Sequence, residues 1–93
     1  MSARSQNEKI IFGLKVKQLR QKQQLSFAEL SKETGMSVSY LNEIEKGKKY
    51  PKEDKINILA LTLGSSYEDL TSQVLHENLL PVSELLRSNF LNV

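Results

Sequence analysis

The sequence predicts an all-α protein with five short helices and an apolar C-terminal helical segment. Apolar residues recur at helical spacing through most of the chain, capping residues and glycines mark the helix ends, and no segment alternates with the period of a strand. The chain has 93 residues, of which 39% are hydrophobic and 26% charged, as is ordinary for one small globular domain. We therefore expect a single helical domain with a modest core.

The first helix is predicted over residues 8–24. The residues before it, 1–7, are small and polar and are expected to form a flexible N-terminus. The apolar side of the helix is formed by Ile11, Phe12, Val16 and Leu19. This spacing predicts about four helical turns that pack on a core.

Two short helices joined by a glycine turn follow in the stretch SFAELSKETGMSVSYLNEIEKGKKYP. Ser26 and Glu29 have the spacing of a capping box and predict the start of the second helix. Gly35 suits the left-handed position that ends a helix, and Ser37 is a favourable N-cap for a third helix over residues 38–46. Two helices so close together are typical of a unit that places one of them in a groove.

The fourth and fifth helices are predicted from the same kinds of signal. Pro51 marks the approach to the fourth helix and Gly64 its end. Apolar residues fall between them at i, i+3, i+4 and i+7: Ile56, Leu59, Ala60 and Leu63. Ser66 with Asp69 predicts a capped start for a fifth helix through about His76.

The C-terminal segment, residues 77–93, is too apolar for a solvated end. We expect a helical segment that either packs on the domain of residues 8–76 or meets a partner chain. The residues expected to form a dimer contact are Leu79, Leu80, Leu85, Leu86 and Phe90. The apolar pattern runs to residue 93, so a third expectation is that residues 1–93 are one part of a longer chain.

Charge is distributed unevenly along the chain. Residues 1–60 carry 12 Lys/Arg against 7 Asp/Glu, whereas residues 61–93 carry one arginine against four acidic residues. A basic half of this kind suggests a polyanionic partner, although a solvated charged surface would have the same composition. The sequence shows neither a signal peptide nor a membrane-length apolar run, and we expect a cytoplasmic protein with no membrane partner.

Residues for catalysis or metal binding are scarce in this sequence. His76 is the single histidine and cysteine is absent, so a zinc site is not expected. There is no glycine-rich phosphate loop and no nucleophile elbow. We predict that the protein is not an enzyme and uses neither a metal nor a cofactor.

Residues 12–70 resemble the lambda-repressor-like, XRE-type helix-turn-helix family of DNA-binding proteins. The resemblance rests on LRQKQQLSFAELSKETGMSVSYLNEIEKGKKYP followed by ILALTLGSSYEDL. It implies a compact five-helix domain whose third helix is a recognition helix in the major groove. It also implies a dimer that reads a two-fold site, with half-sites about one helical turn apart.

The resemblance assigns side chains to two kinds of DNA contact. The base-facing positions are occupied by Val38, Ser39, Asn42 and Glu43. The expected phosphate contacts are Ser26, Phe27 through its backbone N–H, Ser37, Tyr40, Lys46, Lys48 and Lys49. Glu43 has the alternative of an ion pair with Lys46, and Tyr40 that of a half-buried packing residue. The lysines of the first helix are expected on its solvated face: Lys15, Lys17 and Lys22.

The resemblance further implies an ion pair between Arg20 and the glutamate of I-E-x-G, Glu45, which would fix the angle of the third helix. Two positions depart from the family pattern. Phe27 stands where a glutamine is frequent, and we expect its side chain to pack under the first helix or against a sugar. Lys52 stands where a serine or threonine commonly starts the fourth helix, which weakens the cap and adds charge.

The function predicted from these features is a sequence-specific regulator that binds double-stranded DNA as a homodimer. The alternative is a protein-interaction module, such as an antitoxin, that holds a protein partner through its apolar C-terminal segment. The two are compatible, because antitoxins of this family also act as repressors.

Overall fold

The computed structural model describes residues 5–73. These residues form five α-helices, with no strand among them. The helices are α1 Gln6–Lys22, α2 Phe27–Thr34, α3 Val38–Glu45, α4 Glu53–Leu63 and α5 Tyr67–Thr71. The predicted five-helix fold is confirmed. The predictions for residues 77–93, including the dimer contact, lie outside the described residues.

The core forms where the five helices meet. α1 packs against α3, α4 and α5, while α2 packs against α3 and α4. The buried apolar cluster consists of Phe12, Val16, Leu30, Met36, Leu41, Ile44, Ile56, Leu59, Ala60, Leu63 and Leu70. Every helix contributes to this cluster, so the position of α3 is set by the whole domain.

Three helix ends differ from the sequence prediction by two residues or more, and α3 ends at Glu45, one residue before its predicted end. α1 begins at Gln6, two residues early, because Ser5 and Glu8 form a capping box: Ser5 Oγ accepts from the Glu8 N–H at 3.1 Å, and the Ser5 N–H donates to the Glu8 carboxylate at 2.9 Å. α1 also ends two residues early, and Gln24 has a positive φ of 59°. α5 ends at Thr71, where the extended Ser72 backbone stops the helix, and not near His76.

Lys15 corrects the prediction that the lysines of the first helix are solvated. Its side chain is buried, with 3% of its surface exposed. Its ammonium donates to the backbone carbonyls of Asp69 and Ser72, both at 2.7 Å. Burial lowers the pKa of Lys15, and the negative charge of Asp69 partly opposes this shift. The lysine therefore donates to two carbonyls at the C-terminal end of α5, where helix carbonyls need partners from outside the helix.

Gly13 allows α1 to approach the end of α3 closely. A Cβ atom at this position would overlap the carbonyl oxygen of Ile44 and lie 2.9 Å from that of Glu45. Any side chain here would push the two helices apart. No residue near Gly13 in the sequence signals this requirement.

Candidate nucleic-acid interface

One side of α3 is left accessible by the packing of the other. Leu41 and Ile44 are fully buried against the core. The four predicted base-facing residues lie on the accessible side: Val38 and Ser39 are exposed, and Asn42 and Glu43 are half-buried. They form two i, i+4 pairs, Val38 with Asn42 and Ser39 with Glu43, and so make one continuous strip along the helix.

The turn before α3 is fixed by its own hydrogen bonds. Gly35 ends α2 in the left-handed conformation at φ 77°, and the Ser37 hydroxyl accepts from the Tyr40 N–H at 3.0 Å. Both features follow the sequence prediction. Thr34 adds a bond that was not predicted, since its hydroxyl donates to the Leu30 carbonyl at 2.8 Å and accepts from the Met36 N–H at 3.2 Å. With Met36 buried, the turn holds the start of α3 in one orientation.

A buried ion pair joins α1 to the end of α3. Arg20 Nε lies 2.6 Å from Glu45 Oε2 and Arg20 Nη2 lies 3.1 Å from Glu45 Oε1, with 12% and 4% of the side chains exposed. Arg20 Nη1 also donates to the Leu25 carbonyl at 2.8 Å. The guanidinium carbon stands 4.2 Å from the centre of the Phe27 ring, a cation–π contact. The Phe27 side chain thus packs against Arg20 of the first helix, as expected. It cannot supply the side-chain amide of the glutamine that is frequent at this position.

Three exposed lysines follow α3: Lys46, Lys48 and Lys49. Their loop is held against the last turn of the helix, because the Lys46 N–H donates to the Asn42 carbonyl at 3.0 Å and the Lys48 N–H to the Glu43 carbonyl at 2.9 Å. The ion pair recorded for Glu43 within the described residues is with Lys49, at 3.9 Å, and not with Lys46 as the sequence alternative proposed. A cluster of positive charge therefore lies next to the strip on α3.

The start of α2 carries its own carboxylate. Ser26 and Glu29 form the predicted capping box, with the Ser26 N–H donating to Glu29 Oε1 at 2.8 Å and the Glu29 N–H donating to Ser26 Oγ at 3.0 Å. The Ser26 backbone N–H, and then its hydroxyl, lower the pKa of Glu29. A phosphate at this helix start would compete with Glu29 for the Ser26 donor.

Tyr40 borders an open cleft of about 480 Å³ beside the turn. The other residues that line this cleft are Gly35, Met36, Ser37, Lys52 and Lys55. The Tyr40 side chain is half-buried and packs against the core, while burial and the negative charge of Asp54 raise the pKa of its phenol. Tyr40 therefore stays a neutral hydrogen-bond donor at neutral pH while also contributing to packing.

The segment that contains α2, the turn and α3 is shared with a known protein family. Residues 16–70, more than half of the chain, match the family described as helix-turn-helix. The chain belongs to the helix-turn-helix family. The predicted XRE-type helix-turn-helix assignment is confirmed. Membership of this family of DNA-binding regulators also points to a non-enzymatic protein, in agreement with the prediction made from the residues.

A solved structure shares the fold of this helix-turn-helix protein. It is the clp gene regulator ClgR from Corynebacterium glutamicum, with a TM-score of 0.64 and 20% sequence identity over 96% of this chain and 98% of that chain. At this identity the likeness shows a shared fold. No curated protein sequence matches the chain.

The start of α4 is capped weakly, as the sequence predicted. Lys52 is the N-cap of α4 and makes no side-chain capping bond, and the acidic Glu53 and Asp54 in the first turn compensate through the helix dipole. Across residues 5–73, no cluster of three metal-ligating side chains occurs, and none of the helices is long and apolar enough to cross a membrane.

Proposed function

We propose that this chain is a sequence-specific transcriptional regulator that places α3 in the major groove of double-stranded DNA and acts as a homodimer on a two-fold site. One observation carries the proposal: an accessible polar strip on α3 lies between a hydrogen-bonded turn and a cluster of lysines. Membership of the helix-turn-helix family and the shared fold with a gene regulator support it.

The strip on α3 has the chemistry for reading base edges. Asn42 can donate and accept at adenine, Ser39 can do either at several bases, and Val38 can contact a thymine methyl group. Glu43 can accept a hydrogen bond from the N4 amine of cytosine. Because the strip contains no arginine or glutamine, we propose that each half-site is read with modest specificity and that dimerisation increases it.

Phosphate contacts would come from both sides of α3. Lys46, Lys48 and Lys49 supply charge at its end. On the other side, the contacts would come from Ser37 and Tyr40 near the turn and from Ser26 and Phe27 at the start of α2. These contacts set the orientation of the domain on DNA and do not themselves touch base edges.

The dimer interface has two candidate locations. The first is the apolar C-terminal segment, with Leu79, Leu80, Leu85, Leu86 and Phe90. The second is the outer side of α4, where Leu61 is 85% exposed and Ile58 is 39% exposed. Deleting residues 79–93 distinguishes them, because the dimer is lost only if the C-terminal segment forms it. A DNA-binding regulator of this kind would act in the cytoplasm.

In vitro selection from random duplexes tests the proposed function. We expect enrichment of a two-fold sequence whose half-sites are about one helical turn apart, and binding that weakens steeply between low and moderate salt. A protein-interaction module that holds its partner through the C-terminal segment would not enrich any sequence. Absence of duplex binding above background at low salt would contradict the proposal.

A further inference from the structure

Glu43 is the carboxylate on the accessible side of α3, since Glu45 on the same helix points to Arg20. Glu43 Oε1 lies 3.9 Å from Lys49 Nζ, and the two side chains are 41% and 52% exposed. The distance exceeds that of a hydrogen bond, so the contact is electrostatic. Exposed pairs of this kind contribute little to stability and can exchange partners easily.

The loop after α3 holds Lys49 near this carboxylate. The Lys48 N–H donates to the carbonyl of Glu43 itself, which folds the chain back against the last helical turn. Lys48 is the adjacent exposed lysine, and within residues 5–73 it forms no ion pair. Of these two neighbouring lysines, Lys49 has a carboxylate partner and Lys48 does not.

DNA adds negative charge next to the Glu43 carboxylate. A carboxylate next to the phosphates is repelled unless a donor satisfies it. The donors available are the Lys49 ammonium and, in the major groove, an exocyclic base amine such as N4 of cytosine. Lys49 in turn can neutralise either Glu43 or a phosphate.

We propose that Glu43 and Lys49 exchange partners when the protein meets its correct DNA sequence. On a site with cytosine opposite Glu43, the carboxylate accepts from the base amine and Lys49 moves to a phosphate. On other duplexes the pair stays closed, and the charge of Lys49 is neutralised by Glu43. Lys49 thereby becomes a phosphate contact that depends on sequence, an inference that rests on the proposed function.

The salt dependence of binding measures this exchange. The full chain is titrated with the selected duplex and with a duplex in which the cytosine read by Glu43 is replaced by thymine. On that strand thymine presents a carbonyl oxygen and a methyl group to the major groove, and the amine of the new base pair, N6 of adenine, lies on the opposite strand. That cytosine is identified as the position whose preference changes when Glu43→Gln is put through the same selection. The logarithm of the binding constant falls with the logarithm of the salt concentration, and Lys49→Met should make this slope less steep by about 0.9 on the cytosine duplex, because one phosphate contact is lost. On the thymine duplex the slope should not change.

Lys48→Met is the matched control and should make the slope less steep by the same amount on both duplexes. In a Glu43→Gln background, Lys49 has no carboxylate partner, so Lys49→Met should then make the slope less steep on both duplexes. Glu43→Gln alone should reduce the preference for cytosine by about tenfold.

Two results would overturn the exchange while leaving the proposed function intact. One is an equal loss of slope on both duplexes for Lys49→Met in the otherwise unchanged chain. The other is a selected sequence whose preferences do not change with Glu43→Gln. Failure to enrich any sequence would instead contradict the proposed function itself.

Discussion

The two sides of α3 differ in how firmly their residues are held. On the inner side, Glu45 is bound by two guanidinium nitrogens of Arg20, and the backbone lies against Gly13 with no room for a side chain. On the outer side, Glu43 has a single long contact with an exposed lysine. The inner side fixes the position of the helix, and the outer side remains available to a ligand. Substitutions should therefore separate into those that affect stability and those that affect binding.

The largest loss of stability is expected when one partner of the inner ion pair is removed. Arg20→Met or Glu45→Leu alone leaves a buried charge without its counter-ion and should lower the free energy of unfolding by about 3 kcal/mol. The double variant should lose clearly less than the sum of the two. Chemical denaturation of the four proteins gives the coupling energy. Additive losses would show that the pair does not act as a unit.

The close approach of α1 to α3 should be the next most sensitive feature. Gly13→Ala places a methyl group against the Ile44 and Glu45 carbonyls and should lower the free energy of unfolding by about 2 kcal/mol. Gly35→Ala is the control, because a Cβ there meets nothing within 4 Å and the cost comes from its positive φ. We expect about 1 kcal/mol for this control. A smaller effect at Gly13 than at Gly35 would contradict the tight packing described for the inner side.

A smaller effect, with a pH dependence, is expected at Lys15. Lys15→Met removes the donor to two carbonyls and should cost about 1 kcal/mol at neutral pH. Because the pKa of Lys15 is lowered in the folded protein, the unfolded chain binds more protons at alkaline pH, and the contribution of this group to stability rises with pH there. The difference in unfolding free energy between the wild type and Lys15→Met should grow from pH 8 to pH 10.

The exposed Lys22 provides the control for the substitution itself. Lys22→Met should change the free energy of unfolding at neutral pH much less than Lys15→Met does. A difference between the wild type and Lys15→Met that stays constant from pH 8 to pH 10 would contradict the buried position of the Lys15 ammonium.

The sequence predicted features that depend on neighbouring residues. Ser26, Glu29, Gly35 and Ser37 have roles set by local chemistry, and the structure agrees with each. The start of α1 also depends on neighbouring residues, but the prediction placed it two residues late. The capping pair of Ser5 and Glu8 lies in a polar stretch in which no apolar residue marks the beginning of the helix.

Features that depend on distant contacts could not be derived from spacing. Lys15 has the residue type of a solvated position, and its burial follows from α5, more than fifty residues away. Gly13 is required by carbonyls of α3. The pairing of Arg20 with Glu45 was expected only from the family resemblance. The assignments of base and phosphate contacts remain predictions, since they depend on DNA.

We expect the outer side of α3 to bind DNA while contributing little to stability. The most direct test measures both quantities for Asn42→Ala and for Asn57→Ala, a matched change at an exposed position on α4. We predict that Asn42→Ala weakens binding to the selected duplex by about tenfold with an unchanged free energy of unfolding, and that Asn57→Ala changes neither. Unchanged duplex affinity for Asn42→Ala, or a loss of stability that accounts for its weaker binding, would contradict the claim.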